Sequence, residues 1–247
     1  MAEFSREHSA PTWIGLGTTP RNPTVQAEFH RMLLAEAEMM VAPLFSDAKS
    51  DDQQAIDYLE NLPKTLEAFD TSKPDIFGFG SLRASFLVDP SYESSIITKA
   101  EEDFGFPIIT TSQAILSVLN EIGAKKVAII SPFPKNVIDA AEKFYENHSI
   151  TIVTRKNMTY DDSDWRNVYR MSGHQTALEI RSMDLNDAEA ILVLGTAVPT
   201  LRAIRMSSLT LNIPLLSSNY CLAWALLRAA DRATAPWGES GPTLAML

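Results

Sequence analysis

Cysteine is nearly absent. The chain has one, Cys221, so no intrachain disulfide and no cysteine metal cluster can form. This favours a reducing, cytoplasmic setting. The four histidines (His8, His30, His148, His174) are scattered, without the HExxH type of spacing. No dedicated metal site is therefore expected. No apolar run approaches the roughly 18 residues that suggest a membrane span. The opening "MAEFSREHSAPTW" has no apolar core, so the reading expects no secretory leader. Positive charge is also scarce. The net charge is −10, which argues against non-specific binding to nucleic acid or to anionic membranes. Nucleotide fingerprints are missing too. "GFGSLR" and "GLGTTP" both lack the third glycine of GxGxxG, and no GxxxxGK[ST] occurs.

Short apolar runs are plentiful, and they alternate with helical patterns. "WIGLGT", "PDIFGFG", "FPIIT", "KKVAIIS", "ITIVT", "AEAILVLG" and "IPLLSS" read as strands. Their near-continuous apolar character fits strands buried on both faces of a parallel sheet. Between them lie helical segments. The first is "PTVQAEFHRMLLAEAEMM", in which Val25, Phe29, Met32, Leu33 and Met40 recur at helical spacing. Pro63 is expected to break or kink the helix of "DQQAIDYLENLPKTLEAF". Strand–helix alternation of this kind implies βαβ units, an α/β fold with parallel sheets.

The pattern repeats. Asn22 of "TPRNPTV" and Asn136 of "FPKNVID" stand 114 residues apart, as do Ser81 of "GFGSLRAS" and Gly195 of "LVLGTAVP". "PIITTSQAI" and "PLLSSNYCL" match at an offset of 107. Two similar α/β halves follow. One comprises residues 11–110 with 219–247 crossing back onto it, and the other residues 111–218. The ends, 1–10 and 234–247, are expected to be loose.

In open parallel sheets, ligands bind beyond the carboxyl ends of the strands. Those ends carry Thr18, Thr19, Arg21 and Asn22, then Ser81 and Arg83, then Thr110, Thr111 and Ser112. Further along come Ser131 and Phe133, Gly195 and Thr196, and Ser217, Ser218 and Asn219. A helix starts after most of them, and helix N-termini present unpaired N–H groups and partial positive charge. Each hydroxyl or amide has an ordinary reading as an N-cap. Arg83 has one as a surface arginine. The doubled Thr-Thr-Ser and Ser-Ser-Asn clusters exceed what capping needs. They point to a cleft for a small anion, a carboxylate.

These motifs resemble the aspartate/glutamate racemase superfamily, in its maleate cis-trans isomerase and arylmalonate decarboxylase branch. The resemblance covers nearly the whole chain. "TPRNPTV" resembles the family's early PSSNT segment, which implies that Asn22 holds a substrate carboxylate. "PDIFGFGSLRASF" and "AILVLGTAVPTLRAI" resemble the segments carrying two catalytic cysteines, and "IPLLSSNYCLAWALLR" is similar to the last strand and helix. The implied fold is two flavodoxin-like halves related by a pseudo-two-fold axis, with a cofactor-independent site between them. The departures are informative. Ser81 and Gly195 stand at the cysteine positions, Phe133 stands where a tyrosine is usual, and Leu82 and Arg83 replace Thr-Ser.

A serine hydroxyl cannot act as a thiolate does without an adjacent base. Two-thiol racemisation or isomerisation is therefore not expected, and Cys221, in an apolar stretch, reads as a core residue. An enzyme of altered chemistry would use Ser81 as nucleophile or proton carrier. Asn22, Thr111, Ser112, Phe133, Gly195, Thr196, Ser218 and Asn219 would line its substrate site, with Arg83 pairing a second carboxylate. An isomerase or decarboxylase-like lyase, a carboxylate-binding protein without catalysis, and a hydrolase built on Ser81 all remain open. So does a homo-oligomer such as a dimer.

Overall fold

The structure, a computed structural model, describes residues 12–33, 37–158, 165–207, 210–231, 236–238 and 241–242. Two four-stranded parallel sheets form its frame. The first holds β1 (Trp13–Thr18), β2 (Glu38–Pro43), β3 (Ile76–Phe79) and β4 (Ile108–Thr110), in the order β2-β1-β3-β4. The second holds β5 (Lys126–Ser131), β6 (Thr151–Asn157), β7 (Ala190–Val193) and β8 (Leu215–Ser217), in the order β6-β5-β7-β8. Each sheet repeats the strand order of the other, which gives the sequence repeat its structural meaning. The central strands β3 and β7 are buried at every residue, which is why they read as unbroken apolar runs.

The helices are α1 (Pro23–Leu33), α2 (Asp51–Glu60), α3 (Leu62–Glu67), α4 (Arg83–Leu87), α5 (Pro90–Phe104), α6 (Thr111–Glu121), α7 (Lys135–Asn147), α8 (Gly173–Arg181), α9 (Leu201–Ser207) and α10 (Ser218–Ala229). Pro63 does divide α2 from α3, because proline is tolerated in a first helical turn but not in an interior one. Capping boxes start α6 (Thr110 with Gln113) and α8 (Ser172 with Gln175). Gly123, at φ +73°, follows α6 in the left-handed conformation expected of a stop.

One helix reading needs correction. The pattern running to Met40 stops at Leu33, and Met39 and Met40 lie in β2, paired in parallel with Ile14 and Gly15 of β1. "LLAEAEMM" is rich in helix formers, but an open edge of β1 offers a full hydrogen-bond ladder, and tertiary pairing outweighs a propensity of tenths of a kcal/mol per residue. The short α4 was not legible either. The expectation of loose ends falls mostly outside the described residues. Within 234–247, β9 (Trp237–Gly238) pairs antiparallel with β10 (Gly241–Pro242), and the Tyr220 hydroxyl donates to the Pro236 carbonyl at 2.6 Å.

The α10 helix joins the halves. It follows directly from β8 of the second sheet, yet packs on α6, α1 and strands β3 and β4 of the first. Every residue from Ser218 to Leu227 is buried. Gly78 of β3 makes room for it, since a Cβ there would lie 2.8 Å from Leu226 Cδ1.

Gly80 ends β3 under a tighter constraint. Its N–H donates to the Gly17 carbonyl at 2.8 Å, and a Cβ would stand 2.6 Å from that same oxygen. Backbone this close cannot yield as a side-chain tip can. Gly80→Ala is expected to lower stability by about 1–3 kcal/mol, measured as the shift in urea midpoint at unchanged m-value. A variant of wild-type stability would show that the two strands separate freely here.

Candidate active site

The carboxyl ends of the two sheets face each other. Three hydrogen bonds tie them directly. Asn22 Nδ2 donates to Thr196 Oγ1 at 3.2 Å, Thr196 Oγ1 donates to the Gly80 carbonyl at 3.4 Å, and Thr24 Oγ1 donates to the Ala197 carbonyl at 2.8 Å. Beside this seam lies a cavity of about 100 Å³, room for a molecule of several heavy atoms by the roughly 10–15 Å³ that one water needs.

Six of the ten residues assigned to the catalytic and substrate site line it, Asn22, Ser81, Arg83, Phe133, Gly195 and Thr196, and so do Thr19, Arg21 and Leu82. Asn22 does two jobs. Its Oδ1 caps α1, accepting from Thr24 N at 3.0 Å and Val25 N at 3.3 Å, while its amide nitrogen reaches Thr196. The N–H groups of Ser81, Leu82, Thr196 and Ala197 have no acceptor among the described residues, and all four residues belong to the cavity wall. Phe133 is held by its own N–H, which donates to Ser131 Oγ at 3.0 Å. Gly195 sits at φ +98°, and a Cβ would lie 3.3 Å from Pro132 and 3.6 Å from the Phe133 ring. Any side chain at this position would strain the backbone.

Four expected residues are not in the wall. Thr111, Ser112, Ser218 and Asn219 are fully buried behind it. Thr111 Oγ1 donates to the Phe79 carbonyl at 2.8 Å, and Ser112 Oγ meets Thr110 Oγ1 at 2.9 Å. Ser218 Oγ accepts from Gly195 N at 3.0 Å, and Asn219 Nδ2 donates to the Thr196 carbonyl at 3.0 Å. The doubled hydroxyl clusters thus brace the site from beneath. Buried hydroxyls must find partners, and here those partners are the backbone of the strand ends.

Arg83 is already engaged. Its Nη2 pairs with Asp52 Oδ1, and Asp52 Oδ2 accepts from Asn136 Nδ2 at 3.1 Å. Its Nε is buried in the cavity wall without a partner among the described residues. A second acidic ligand would meet that one N–H rather than a free guanidinium fork. Ser81 Oγ has no hydrogen-bond partner among the described residues. No histidine lines the cavity, and His174 is exposed on α8. A Ser81 nucleophile therefore has no hydrogen-bonded base among the described residues.

Sequence reading missed the other side of the site. The α2 helix contributes Asp51, Gln54 and Tyr58, and the 3₁₀ turn Trp165–Arg170 contributes Val168 and Tyr169. These come from segments without strand-end motifs. The only signal was their position in chain connections that return over the carboxyl ends of the sheets. Burial pushes the Tyr169 phenol above its ordinary pKa, with the Thr19 hydroxyl and the Arg21 guanidinium pulling it back in part. It holds its proton throughout the neutral range. Arg21 Nη2 donates to Gln54 Oε1 at 2.6 Å, closing this polar rim. Pro132, Phe133, Ala197 and Val168 make the remaining wall apolar.

Among the described residues, no cluster of three or more His, Cys, Asp or Glu could hold a metal ion, and no helix is long and apolar enough to cross a membrane. Cys221 is fully buried in the core, away from the cavity, and burial pushes its thiol far above the ordinary range. It is expected to resist Ellman's reagent in the native protein and to react at one equivalent in guanidinium. Rapid native labelling would place a reactive thiol where the structure has none.

Known proteins share this architecture. The chain is 21% identical to a maleate isomerase of Geobacillus stearothermophilus over 234 residues, 90% of this chain and 92% of that protein. A variant of the maleate isomerase Iso from Pseudomonas putida S16, crystallised with maleate, superposes with a TM-score of 0.81 at 19% identity. That match covers 94% of this chain and 96% of the other. An arylmalonate decarboxylase structure superposes at 0.69 with 18% identity, covering 90% and 94%. The family model described as arylmalonate decarboxylase matches residues 52–241. The chain belongs to the arylmalonate decarboxylase family, whose members include isomerases and lyases of this fold.

Proposed function

We propose that the cavity binds a small carboxylic acid and that the protein is a decarboxylase-like lyase working without a thiol. One observation carries the reading. Residues of the two halves whose N–H groups have no acceptor among the described residues, Ser81–Leu82 and Thr196–Ala197, line one cavity with an apolar side at Pro132, Phe133, Val168 and Ala197. Such donors hold a carboxylate, and they hold the enediolate formed from it more strongly, because charge then concentrates on the same oxygens. A second carboxylate pressed against Phe133, Pro132 and Ala197 would lose solvation, which favours its departure as neutral carbon dioxide. The carbon–carbon bond breaks, its electron pair enters the enediolate, and a proton must then reach carbon. Tyr169, protonated at neutral pH and part of the same wall, is the proton donor of this reading, and water at the rim restores its proton.

Cis-trans isomerisation by addition to a double bond would need a nucleophile. Ser81 without a hydrogen-bonded base does not supply one, and the same fact weakens the hydrolase reading. It also favours the second reading, a carboxylate-binding protein that does not turn its ligand over. Both readings share an aqueous cytoplasmic setting, a small carboxylate as the partner, and no role for nucleic acid.

The test is a thermal-shift screen of maleate, malonate, phenylmalonate and amino acids on the wild type and Tyr169→Phe, with NMR of each mixture. A bound acid at 100 times its dissociation constant raises stability by about 2.7 kcal/mol. The expected result is stabilisation of both proteins by a malonate, with product in the wild type only and a rate in Tyr169→Phe lower by about 10²-fold or more. Stabilisation without product in the wild type would establish the binding reading. No stabilisation by any acid would show that the unpaired N–H groups serve no carboxylate.

A further inference from the structure

Glu28 is a buried carboxyl group that the proposed chemistry leaves unused. It lies on α1 in the first half and is 5% exposed. Four donors converge on its two oxygens. Thr200 N and Leu201 N (3.0 Å) reach Oε1, while Thr200 Oγ1 (3.0 Å) and Asn219 Nδ2 (2.8 Å) reach Oε2. The Thr200 hydroxyl also lies 2.9 Å from Ser217 Oγ. Burial holds its pKa above the ordinary carboxylate value, and these four hydrogen bonds pull it only partly back. Three N–H groups that can only donate leave no place for an amide nitrogen at either oxygen, while the Thr200 hydroxyl can donate to the carboxylate or accept from the acid.

Three of the four donors, on Thr200 and Leu201, come from the second half, and the fourth, Asn219, from the helix that crosses back onto the first. Thr200 and Leu201 close the segment that begins at Gly195, where the chain leaves β7 and enters α9. Asn219 opens α10, and its amide nitrogen is shared between Glu28 and the Thr196 carbonyl. Two other residues around the start of α1 grip the near end of the same segment, Asn22 at Thr196 and Thr24 at Ala197. Residues 196–201 are thus held at one end beside the cavity and at the other by Glu28. Glu28 itself does not touch the cavity.

We propose that Glu28 is the positioning residue of the site. Its carboxyl group clamps the 196–201 segment of one half onto α1 of the other, so that the N–H groups of Thr196 and Ala197 face those of Ser81 and Leu82 across the cavity. The proposal rests on the carboxylate-binding reading for its effect on ligand, but not for the clamp itself. An amide at position 28 would turn one NH₂ group towards donors, against Asn219 or against Thr200 and Leu201, and would release that side of the segment.

The experiment compares full-length wild type, Glu28→Gln and Ile97→Val. Ile97 is buried in the α5 face of the first half, outside the cavity, and its substitution supplies a general loss of stability as the control. Two quantities are read: amide hydrogen exchange of the 195–201 segment, and the dissociation constant of phenylmalonate or maleate. In Glu28→Gln the segment is expected to exchange about tenfold faster or more, and the probe to bind about tenfold more weakly. Ile97→Val should change neither beyond its global loss. Unchanged exchange in Glu28→Gln would overturn the clamp. Faster exchange with unchanged affinity would reduce Glu28 to a purely structural group and overturn its positioning role. Should neither probe bind the wild type, the carboxylate reading falls, and exchange alone decides the clamp. Thr200→Val, which removes one of the four donors and leaves Glu28 in place, is the milder variant if Glu28→Gln does not fold. It is expected to move both readouts in the same direction by about threefold, a single hydroxyl's share, and no movement would count against the proposal.

Discussion

The burial of α10 is the constraint on which the molecule depends. A helix buried from Ser218 to Leu227 must have apolar surface on all sides, and one four-stranded sheet cannot provide it. Packing α10 on α6, α1, β3 and β4 satisfies that demand and draws the second half onto the first. Burying side chains such as Leu222, Leu226 and Trp224 is worth roughly 1.5–3 kcal/mol each in removal from water. This drive brings the strand ends of two sheets close enough for hydrogen bonds between halves. The cavity is a consequence: two sets of strand ends cannot interdigitate, so they leave a space lined by their last residues.

The polar content of the seam follows from the same closeness. Backbone groups at strand ends are removed from water and must be satisfied from within. Thr111, Ser218 and Asn219 do so from beneath, and Asn22, Thr24 and Glu28 do so from the opposite half. Among the described residues, the N–H groups at residues 81–82 and 196–197 and Arg83 Nε in the cavity wall find no partner, nor do Thr18 Oγ1 and Asn219 Oδ1 behind it. The donors in the wall are where a ligand's oxygens belong. The chemistry available to that ligand is set by what is missing. The lone thiol is sealed in the core, Ser81 has no hydrogen-bonded base among the described residues, and Gly195 adopts a backbone conformation that bars a side chain. The cavity is left with electrostatic stabilisation, an apolar wall and a phenol.

Much of this architecture was legible in the amino-acid sequence. Continuous apolar runs separated by amphipathic segments specify parallel strands, and the spacing of Asn22 to Asn136 and Ser81 to Gly195 specifies the repeat. Small and hydroxyl residues at strand ends locate the cleft, because the parallel arrangement gathers those ends on one side. The sequence alone also determined that no disulfide or cysteine pair operates here, since composition is independent of folding.

Tertiary structure decided the rest. Met39 and Met40 became a strand because β1 had an unpaired edge, which a one-dimensional pattern does not display. Thr111, Ser112, Ser218 and Asn219 look like ligands in sequence and act as braces, because which face of a helix start meets the cavity depends on how the halves dock. Tyr169, Tyr58 and Glu28 carry no local motif. Their roles arise only when α1, α2 and the turn after β6 are folded over the sheet ends of both halves, and contacts between residues more than a hundred positions apart are set by packing rather than by neighbours in the chain.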